Sequence, residues 1–469
     1  MTLRLYNTLS RKVEEFASRN APKVQMFVCG PTVYDLSHLG HAKTYIQLDT
    51  LARVLKQNEY DLHYLQNVTD IDDKIITRAA EQKTDWQKLG AIFYDEYLKD
   101  MRSLNNTSVT DYAKASDYID AIITQVVKLI EKKHAYIIKD DGVYFEIKTF
   151  PNYGKLSGRT EVKQDDAQAR IDESTNKRGW NDFCLWKFSK PDEPVWDASF
   201  GAGRPGWHIE DTAITEKFFG PQYDIHGGAV DLIFPHHEAE ITQMESISDK
   251  VPLVKYWIHT GFLTIDSEKM AKSAGNFYTI REVVERGYDP LAIRLFMLQS
   301  HYRSSINFTF NNLDAAKNRF HNWRNIAALR HQTHDTLQND DEKSTDEKAV
   351  SLYATAQALV EALNDDLNTP EALTIVDDAF SRLISSRLND IHQHALTQLL
   401  ETIDEVLGLD LIKSTPDIND DCKRLIIERQ HKRENKDWAA SDRLRDKLEK
   451  TYGIIVRDAA AGSVWEYAV

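Results

Sequence analysis

The chain has 469 residues, 42% of them hydrophobic, and a formal net charge of −15. This length allows about two to four domains with a substantial core, and the composition excludes a mostly disordered chain. The acidic balance excludes a generally basic nucleic-acid coat, although it leaves room for a local basic face.

Targeting and redox signals are missing from the sequence. No apolar run reaches the ~18 residues of a membrane span, and the N-terminus MTLRLYNTLSRKVEEF lacks the apolar centre of a signal peptide. The three cysteines, Cys29, Cys184 and Cys422, form no CxxC pair, which excludes a disulfide framework. We therefore expect a cytoplasmic protein without a membrane partner.

The first elements in chain order predict a parallel α/β sheet. KVQMFVCG (23–30) reads as a strand, KTYIQLDTLARVLKQ (43–57) as a helix, and DLHYLQNVTDIDDKI (61–75) as a second strand leading into a helix. Ligands of such sheets bind beyond the carboxyl ends of the strands. Cys29 and Thr69 both lie at such ends.

The middle of the chain predicts an interruption of this sheet. HAYIIKDDGVYFEI (134–147) is typical of a hairpin, and with the polar stretch 161–179 it indicates an insertion. The sheet pattern resumes near residue 207, where we interpret DIHGGAVDLIF (224–234) as a strand, a glycine turn and a further apolar stretch. From about residue 280 the chain reads as mostly helical, with an exposed connection at 331–348.

A basic segment lies near the C-terminus. Residues 423–450 carry ten Lys/Arg against six Asp/Glu. Such a segment in an acidic chain is either a contact surface for a polyanion or a solvated helix face.

Two short segments carry phosphate-binding chemistry. HLGH (38–41) lies between the first strand and its helix, where a helix N-terminus with imidazole donors suits phosphate, and Gly40 permits close approach. SEKMAKSAGN (267–276) contains Lys269 and Lys272, whose ammonium groups can stabilise charge on a phosphate under attack. Taken alone, each segment is also compatible with an ordinary surface loop.

FPHHEAE (234–240) is the candidate metal segment. On a helix His236 and Glu240 share one face, while His237 and Glu238 turn aside. Nitrogen and oxygen on one face are half of a zinc site, although a surface helix would carry the same residues. The segment is not the HExxH of a zinc peptidase, because Ile241 replaces the second histidine.

In their order along the chain, HLGH and KMAKS resemble the HIGH and KMSKS signatures of class I aminoacyl-tRNA synthetases. The resemblance extends through VCGPTVYDLSHLGHAKTY, NVTDIDDKI, GRPGWHIE, DIHGGAVDLIFPHHEAE, HYRSSINF and DDLNTPEA, which are similar to the pattern of cysteinyl-tRNA synthetases. It implies activation of L-cysteine with ATP and magnesium, then transfer of the cysteinyl group to the 3′ end of tRNA(Cys). The family also implies a monomer.

The resemblance further implies one zinc ion per chain, with Cys29, Asp211, His236 and Glu240 as ligands. Asp211 departs from the family, which has a cysteine after the WHIE tetrapeptide. We expect the Asp211 carboxylate to bind zinc, since a Zn–O bond of ~2.0–2.2 Å can replace a Zn–S bond of ~2.3 Å. The alternatives are a hydrogen bond from Asp211 to His236 or to a metal-bound water, or a site without metal. Zinc would bind the thiol of cysteine in preference to the hydroxyl of serine. An apolar pocket alone discriminates poorly between these two amino acids.

The same resemblance assigns the other site residues. His38 and His41 would position the phosphates, and Lys269 and Lys272 would stabilise the transition state of activation. Ala271 replaces the first serine of KMSKS, which removes one hydroxyl and keeps both lysines. The remaining assignments are Gly40, Gly227 and Gly228 for ATP, Thr69, Trp207 and Asp231 for the amino acid, and Arg433, Trp438 and Asp442 for the anticodon.

The implied fold is a Rossmann-like parallel-sheet catalytic domain with an insertion, then a helical bundle and a small anticodon-binding domain. The expected bounds are 1–120 and 201–265 for the two catalytic halves, 121–200 for the insertion, 266–315 for the stem-contact segment, 316–405 for the bundle and 406–469 for the anticodon-binding domain.

Two other functions remain possible on the sequence alone. A ligase that joins cysteine to an amino sugar shares the catalytic domain but lacks the anticodon-binding end, so the chain beyond residue 405 weighs against it. A non-catalytic synthetase-like regulator should have lost HLGH or KMAKS, and both are present.

Overall fold

The computed structural model describes residues 2–161, 174, 176–271, 275–332, 347–384, 391–459 and 462–468. These residues form two compact units. The first contains residues 1–287, 300–308 and 364–367, and the second contains 288–299, 309–363 and 368–469.

The strands in chain order are β1 (Arg4–Asn7), β2 (Lys12–Glu15), β3 (Lys23–Val28), β4 (Asp61–Val68), β5 (Asp111–Lys114), β6 (Ala135–Ile138), β7 (Gly142–Phe145), β8 (Phe183–Phe188), β9 (Gly203–Pro205), β10 (Tyr223–Ala229), β11 (Val254–Thr260), β12 (Leu263–Ile265), β13 (Glu268–Lys269), β14 (Ile306–Phe308), β15 (Ile454–Ala459) and β16 (Gly462–Tyr467). The α-helices are α1 (Leu39–Gln57), α2 (Asp73–Glu81), α3 (Trp86–Ser103), α4 (Ile119–Glu131), α5 (Trp207–Phe219), α6 (Glu238–Ser248), α7 (Ile280–Glu285), α8 (Pro290–Leu298), α9 (Phe310–Ala328), α10 (Glu347–Asn364), α11 (Thr369–Ile384), α12 (Gln393–Leu407), α13 (Leu411–Ser414), α14 (Asp420–Glu434) and α15 (Trp438–Tyr452).

A five-stranded parallel sheet forms the core of the first unit. Its order is β11-β10-β3-β4-β5, with β3 between β10 and β4. The central strands are buried along most of their length, as expected for a parallel sheet covered on both faces. Strand order reverses between β3 and β10, so the carboxyl ends of these two strands border the crevice where ligands of such sheets bind. The predicted Rossmann-like fold is confirmed.

A separate antiparallel sheet, β6-β7-β8-β9, interrupts the parallel one. Its first two strands form the predicted hairpin, with Ala135 opposite Phe145. A second small sheet, β13-β12-β14, carries Lys269 on β13.

The second unit is mainly helical and ends in the β15–β16 hairpin. Helices α14 and α15 pack with that hairpin around a common apolar cluster, which comprises Ala328, Ile418, Cys422, Leu448, Ile454, Val456 and Trp465. Within the described residues, none of the helices is long and apolar enough to cross a membrane.

One sequence interpretation is wrong. Gly227 and Gly228 form no turn but lie inside β10, where they pair with Ile258 and His259. Glycine suits these positions because neighbouring side chains crowd the space that a Cβ would occupy. A Cβ on Gly227 would lie 3.0 Å from Leu48 Cδ2, and one on Gly228 would lie 2.9 Å from His237 Cε1.

Candidate functional site

Four buried side chains meet at the carboxyl end of β3. The Cys29 Sγ atom lies 3.4 Å from Asp211 Oδ2, and His236 Nε2 lies 3.0 Å from the same oxygen. Glu240 Oε1 lies 3.2 Å from His236 Nε2. One possible ligand atom from each of the four residues lies within 4.8 Å of the ligand atoms of the other three. This cluster of Cys29, Asp211, His236 and Glu240 is the candidate metal centre.

Four elements deliver these residues. Cys29 follows β3, and its N–H donates to Gly227 O on the adjacent β10. Asp211 lies one turn inside α5, on the buried side of the helix. His236 belongs to a wide turn at Ile233–His237 that leads into α6, and Glu240 is in the first turn of α6. The expected shared face of His236 and Glu240 is therefore present, although only Glu240 lies within α6.

Asp211 presents a single oxygen to the cluster. Its Oδ1 accepts a hydrogen bond from Asn67 Nδ2 over 2.5 Å, which leaves Oδ2 directed toward Cys29 and His236. Asn67 is itself held at the end of β4, because its Oδ1 accepts from the Gly30 N–H over 2.5 Å. A metal ligand is commonly oriented by such an outer hydrogen bond.

The electrostatics of the cluster call for a cation. Burial, together with the Asp211 and Glu240 carboxylates, raises the pKa of the Cys29 thiol well above its usual value. Burial raises the pKa of Asp211 to about 8, and burial and Asp211 raise that of Glu240 well above its usual range. Three acids are therefore crowded together at low dielectric, and each would be stabilised as an anion by a divalent ion.

Glu240 adds a second indication that a cation fits. Its Oε1 atom is buried and receives no hydrogen bond, although His236 Nε2 is close. A buried oxygen without a donor is costly and usually has a partner such as a metal ion. The donor set of sulfur, nitrogen and two carboxylate oxygens matches the ligands that zinc takes in proteins.

The prediction that His237 points away from the metal side is wrong, whereas the same prediction for Glu238 is confirmed. His237 Nε2 lies 3.1 Å from Cys29 Sγ, because the wide turn before α6 breaks the helical spacing on which the prediction rested. His226 Nε2 lies 3.3 Å from the same sulfur, so Cys29 and Glu240 also belong to a second buried set with these two histidines. Glu238 instead accepts backbone hydrogen bonds from residues 154–157.

Two of the residues expected to bind the amino acid, Trp207 and Thr69, border the cluster, and Asp231 lies nearer to Lys269. The Trp207 ring stacks on His236 with a centroid distance of 4.0 Å and an interplanar angle of 12°. Thr69 is buried, and its hydroxyl donates to Glu210. The same hydroxyl oxygen lies 3.5 Å from Asn67 Nδ2. Asp231 lies in the short turn after β10, and the Lys269 ammonium opposes the rise that burial causes in the pKa of its carboxyl.

The HLGH segment forms the N-terminus of α1. The backbone N–H of His41 donates to His38 Nδ1 over 3.3 Å, and the N–H of His38 lies 3.5 Å from His41 Nδ1. Both Nδ1 atoms are acceptors, so in the neutral rings the protons lie on Nε2, which can donate to an anion. Desolvation and the neighbouring Lys74 lower the pKa of His41 to about 4, which keeps that ring neutral near pH 7.

This segment is connected to the candidate metal centre through one turn of α1. His41 stacks on Tyr45 at a centroid distance of 6.1 Å, and Tyr45 Oη donates to Cys29 O over 3.4 Å. Gly40 is packed closely, since a Cβ there would lie 2.9 Å from His38 Cε1 and 3.4 Å from Met270 Cε. Met270 belongs to the KMAKS segment, so the two signature segments are neighbours.

The KMAKS segment is described up to Ala271. Lys269 is exposed at the end of β13, and Lys272 lies outside the described residues. Asn276 holds the two sides of the loop together, because its Nδ2 donates to Lys269 O over 3.2 Å and its Oδ1 accepts from Ala271 N–H over 2.9 Å.

The candidate anticodon residues lie on two consecutive helices, Arg433 on α14 and both Trp438 and Asp442 on α15. The Arg433 guanidinium lies 5.4 Å from the ring centroid of Trp438, and the Trp438 side chain is 55% exposed. Asp442 pairs with Arg445 over 3.1 Å.

Asn67, His226 and His259 are site residues that the sequence reasoning missed. His259 lies 2.8 Å from His237 Nδ1 and so extends the buried histidine group. Asn67 immediately precedes Val68 at the end of a predicted strand, so the strand-end rule could have identified it. The two histidines lie inside buried strands, and strand-forming sequences give no signal for them.

Comparison with known proteins identifies the family. Residues 15–318 match the model of the class I tRNA synthetase (C) catalytic domain, residues 358–411 match the DALR domain, and residues 415–465 match the cysteinyl-tRNA ligase anticodon binding domain. The chain is 41% identical to the cysteine–tRNA ligase of Heliobacterium modesticaldum, over 100% of both chains. It is also 41% identical to the cysteine–tRNA ligase of Thermoplasma acidophilum, over 99% of this chain and 100% of the other.

Solved structures agree at the level of the fold. The Mycobacterium tuberculosis methionyl-tRNA synthetase bound by methionyl-adenylate superposes with a TM-score of 0.61 at 15% identity, over 83% of this chain and 93% of the other. A leucyl-tRNA synthetase from Agrobacterium radiobacter, in a ternary complex, gives a TM-score of 0.59 at 10% identity, over 86% of each chain. With the fold, the paired signature segments and the full-length relatives in agreement, the chain belongs to the cysteine–tRNA ligase family of class I aminoacyl-tRNA synthetases.

Proposed function

We propose that this protein activates L-cysteine with ATP and transfers the cysteinyl group to the 3′ end of tRNA(Cys). The observation that carries the proposal is the position of the Cys29, Asp211, His236 and Glu240 cluster, one turn of α1 away from the HLGH segment. A thiol-selective centre and a phosphate-binding segment at one sheet edge are the two parts that cysteine activation needs.

In this proposal the four residues of the cluster hold zinc. Bound zinc would supply a Lewis acid with high affinity for the substrate thiolate, which separates cysteine from serine. Asn67 keeps Asp211 Oδ2 directed toward Cys29 and His236, the residues that would hold the ion with it, and Trp207 packs on the face of His236 and limits the movement of that ring. Thr69 and Trp207 then border the bound amino acid.

The nucleotide binds along the N-terminus of α1. His38 and His41 donate from Nε2 to phosphate oxygens, and the positive end of the α1 helix dipole adds favourable potential. Gly40 lets the His38 ring and Met270 pack closely beside the nucleotide site, and Gly227 and Gly228 on the neighbouring strand β10 do the same for Leu48 and His237. Magnesium accompanies ATP.

The chain supplies electrostatics rather than a nucleophile for activation. The carboxylate of the substrate attacks the α-phosphate, the bond between the α-phosphate and pyrophosphate breaks, and no protein side chain is acylated. Lys269, with Lys272, stabilises the negative charge that builds up on the phosphates in the transition state. Asp231 contacts the amino acid or the adenosine.

Unpaired bases of the anticodon bind at α14 and α15. Trp438 is exposed enough to stack on a base, and Arg433 covers part of its ring. Asp442 lies on the same helix and offers carboxylate oxygens to base amino groups. The ten basic residues of 423–450 would attract the phosphate backbone.

Cysteine-dependent ATP–pyrophosphate exchange, followed by charging of a tRNA(Cys) transcript, tests the proposal. We expect both reactions with cysteine and neither with serine. Exchange without charging, together with transfer of cysteine to an amino sugar, would support the amino-sugar ligase instead. Neither activity in the metal-loaded protein would support a non-catalytic role.

A further inference from the structure

Helix α3 carries two carboxylates one turn apart, and each one holds a different signature segment. The Asp100 carboxylate faces the backbone N–H of Ser37, the residue before HLGH, which partly offsets the rise that burial causes in the pKa of Asp100. Glu96 forms an ion pair with Arg281, which lies in the first turn of α7 just after the KMAKS segment. Residues four apart on a helix share a face, so one face of α3 holds both segments.

The two segments are also paired directly. Leu39 N–H donates to Tyr278 O over 3.1 Å, and Ile280 N–H donates to Ser37 O over 3.0 Å. These bonds form an antiparallel bridge between His38 and Thr279. The His38 ring also meets the edge of Phe277 at a centroid distance of 5.3 Å.

The backbone that follows the KMAKS loop therefore constrains Lys269, in addition to the pairing of β13 with β12. Asn276 bonds to the carbonyl of Lys269, and the next residues, 277–281, are fixed to the HLGH segment and, through Arg281, to α3. A shift of this backbone would move the Lys269 ammonium relative to the two histidines.

The ion pair has a geometric role rather than a large effect on stability. The Glu96 side chain is 20% exposed and that of Arg281 is 37% exposed. Ion pairs open to solvent contribute little to the free energy of folding. Glu96 also contacts Lys99 on its own helix over 2.8 Å, so the carboxylate would keep a charge partner without Arg281.

Resting on the proposed function, we propose that Glu96 and Arg281 are positioning residues for cysteine activation. Their ion pair holds the exit of the KMAKS loop against the HLGH segment, so that Lys269 reaches the phosphates in the transition state. Neither residue touches the substrate.

A charge swap tests this role by pyrophosphate exchange. We expect Glu96→Arg and Arg281→Glu each to lower kcat about ten- to a hundredfold, because a small misplacement far from the chemistry has effects of this size. The KM for cysteine should stay within about twofold, since the interaction acts on the transition state. The double variant should recover to within about threefold of wild type, because the two changes are coupled. A double variant as slow as the slower single variant would overturn the proposal.

Amide hydrogen exchange gives a readout that does not depend on activity. In Glu96→Gln the amides of Leu39 and Ile280 should exchange faster than in wild type, since the bridge that protects them is released. Unchanged exchange at both amides would contradict the proposal even if other variants fold poorly. Asp249→Asn is the matched control, because it removes another surface ion pair of the same unit, Lys132–Asp249, and should alter neither readout. If the wild-type protein shows no cysteine-dependent ATP–pyrophosphate exchange, the proposed function is refuted. Amide hydrogen exchange in Glu96→Gln would still decide whether Glu96 holds the two segments together.

Discussion

Asn67 donates a hydrogen bond from Nδ2 to Asp211 Oδ1 over 2.5 Å, so the other carboxylate oxygen is the one that faces Cys29. A carboxylate with both oxygens free can chelate a metal or rotate away from it, whereas this one is limited to a single oxygen in a fixed direction. Asp211, which stands where the sequence resemblance leads one to expect a cysteine, is thus held by an outer hydrogen bond suited to single-oxygen ligation.

Removal of the Asp211 carboxylate should weaken zinc binding. We expect Asp211→Ala to lose at least about tenfold in zinc affinity, because one anionic ligand of four is lost, whereas Asp211→Cys should retain tight binding. Competition with a chromophoric chelator measures both affinities. Asp224→Asn is the control, since Asp224 is equally buried but accepts backbone hydrogen bonds outside the cluster. Equal zinc affinity in Asp211→Ala and wild type would show that the carboxylate is not a ligand.

Replacement of Asn67 should act only through Asp211. We expect Asn67→Ala to lower zinc affinity about 10- to 100-fold, which is the usual effect of an outer-sphere partner. In the background of Asp211→Ala the same change should have no further effect on zinc affinity. The same chelator competition, applied to the double variant, checks this, and additive losses would argue against the orienting role.

Two glycines of the first unit should respond oppositely to alanine. A Cβ on Gly30 would overlap the Asn67 carbonyl group, so Gly30→Ala must displace the end of β3 or β4 and should abolish metal binding. A Cβ on Gly90, inside α3, meets nothing closer than 3.8 Å. Gly90→Ala should therefore stabilise the protein by about 0.5–1 kcal/mol through helix propensity. Thermal unfolding and zinc content of both variants measure the contrast, and a destabilised Gly90→Ala would contradict it.

The buried Asp100 should make stability depend on pH. Burial raises the pKa of its carboxyl to about 6, against the opposing effects of the Ser37 N–H and Lys99. The unfolded value is about 3.9, so the folded protein binds the proton more tightly, and this contribution to stability is full below pH ~4 and is lost as the pH rises through ~6.

Asp100→Asn keeps an oxygen for Ser37 but cannot ionise. The unfolding midpoint of Asp100→Asn should therefore rise relative to wild type between pH 4 and 7, by the equivalent of about 2 kcal/mol. Thermal unfolding of both proteins at a series of pH values measures this difference. A difference that stays constant over this range would show that Asp100 does not titrate there.

Loss of the Trp438 ring should separate the two reactions. We expect Trp438→Ala to weaken tRNA charging, because stacking of a base on an aromatic ring contributes about 1–3 kcal/mol. Pyrophosphate exchange should stay unchanged in the same variant, which serves as its own control. Charging kinetics at several tRNA concentrations measure the effect, and equal losses in both reactions would exclude an anticodon role for Trp438.

The local sequence was sufficient to predict the first strands and the hairpin, but not the features that depend on packing between elements. Strands 23–28 and 61–68 follow from runs of apolar and β-branched residues, and the hairpin at 135–145 follows from its Asp-Gly turn. Gly227 and Gly228 were misplaced in a turn because the requirement for glycine comes from Leu48 and His237, which are distant in the sequence.

In the candidate metal centre, too, some features could be predicted from the local sequence and others could not. The sequence spacing of His236 and Glu240 correctly predicted that their side chains face the same cluster. The rule that ligands bind at the carboxyl ends of parallel strands correctly predicted that Cys29 lies at that edge of the sheet. The orientation of His237 depends on a wide turn before α6, and no periodicity of the sequence indicates such a turn. Asn67 acts through a hydrogen bond to a residue on another element, so its role is visible only once β4 and α5 are packed together.

The four residues of the candidate metal centre are also far apart in the order of synthesis. Cys29 directly follows the early strand β3, while the other three follow the β6–β9 insertion. At about 5–20 residues per second, translation takes on the order of ten seconds or longer to advance from Cys29 to Glu240. During that interval β3 lacks its neighbour β10, and the Cys29 thiol lacks every partner it has in the finished fold. A metal ion can therefore be captured only late in biosynthesis, and until then this thiol is open to oxidation on the nascent chain.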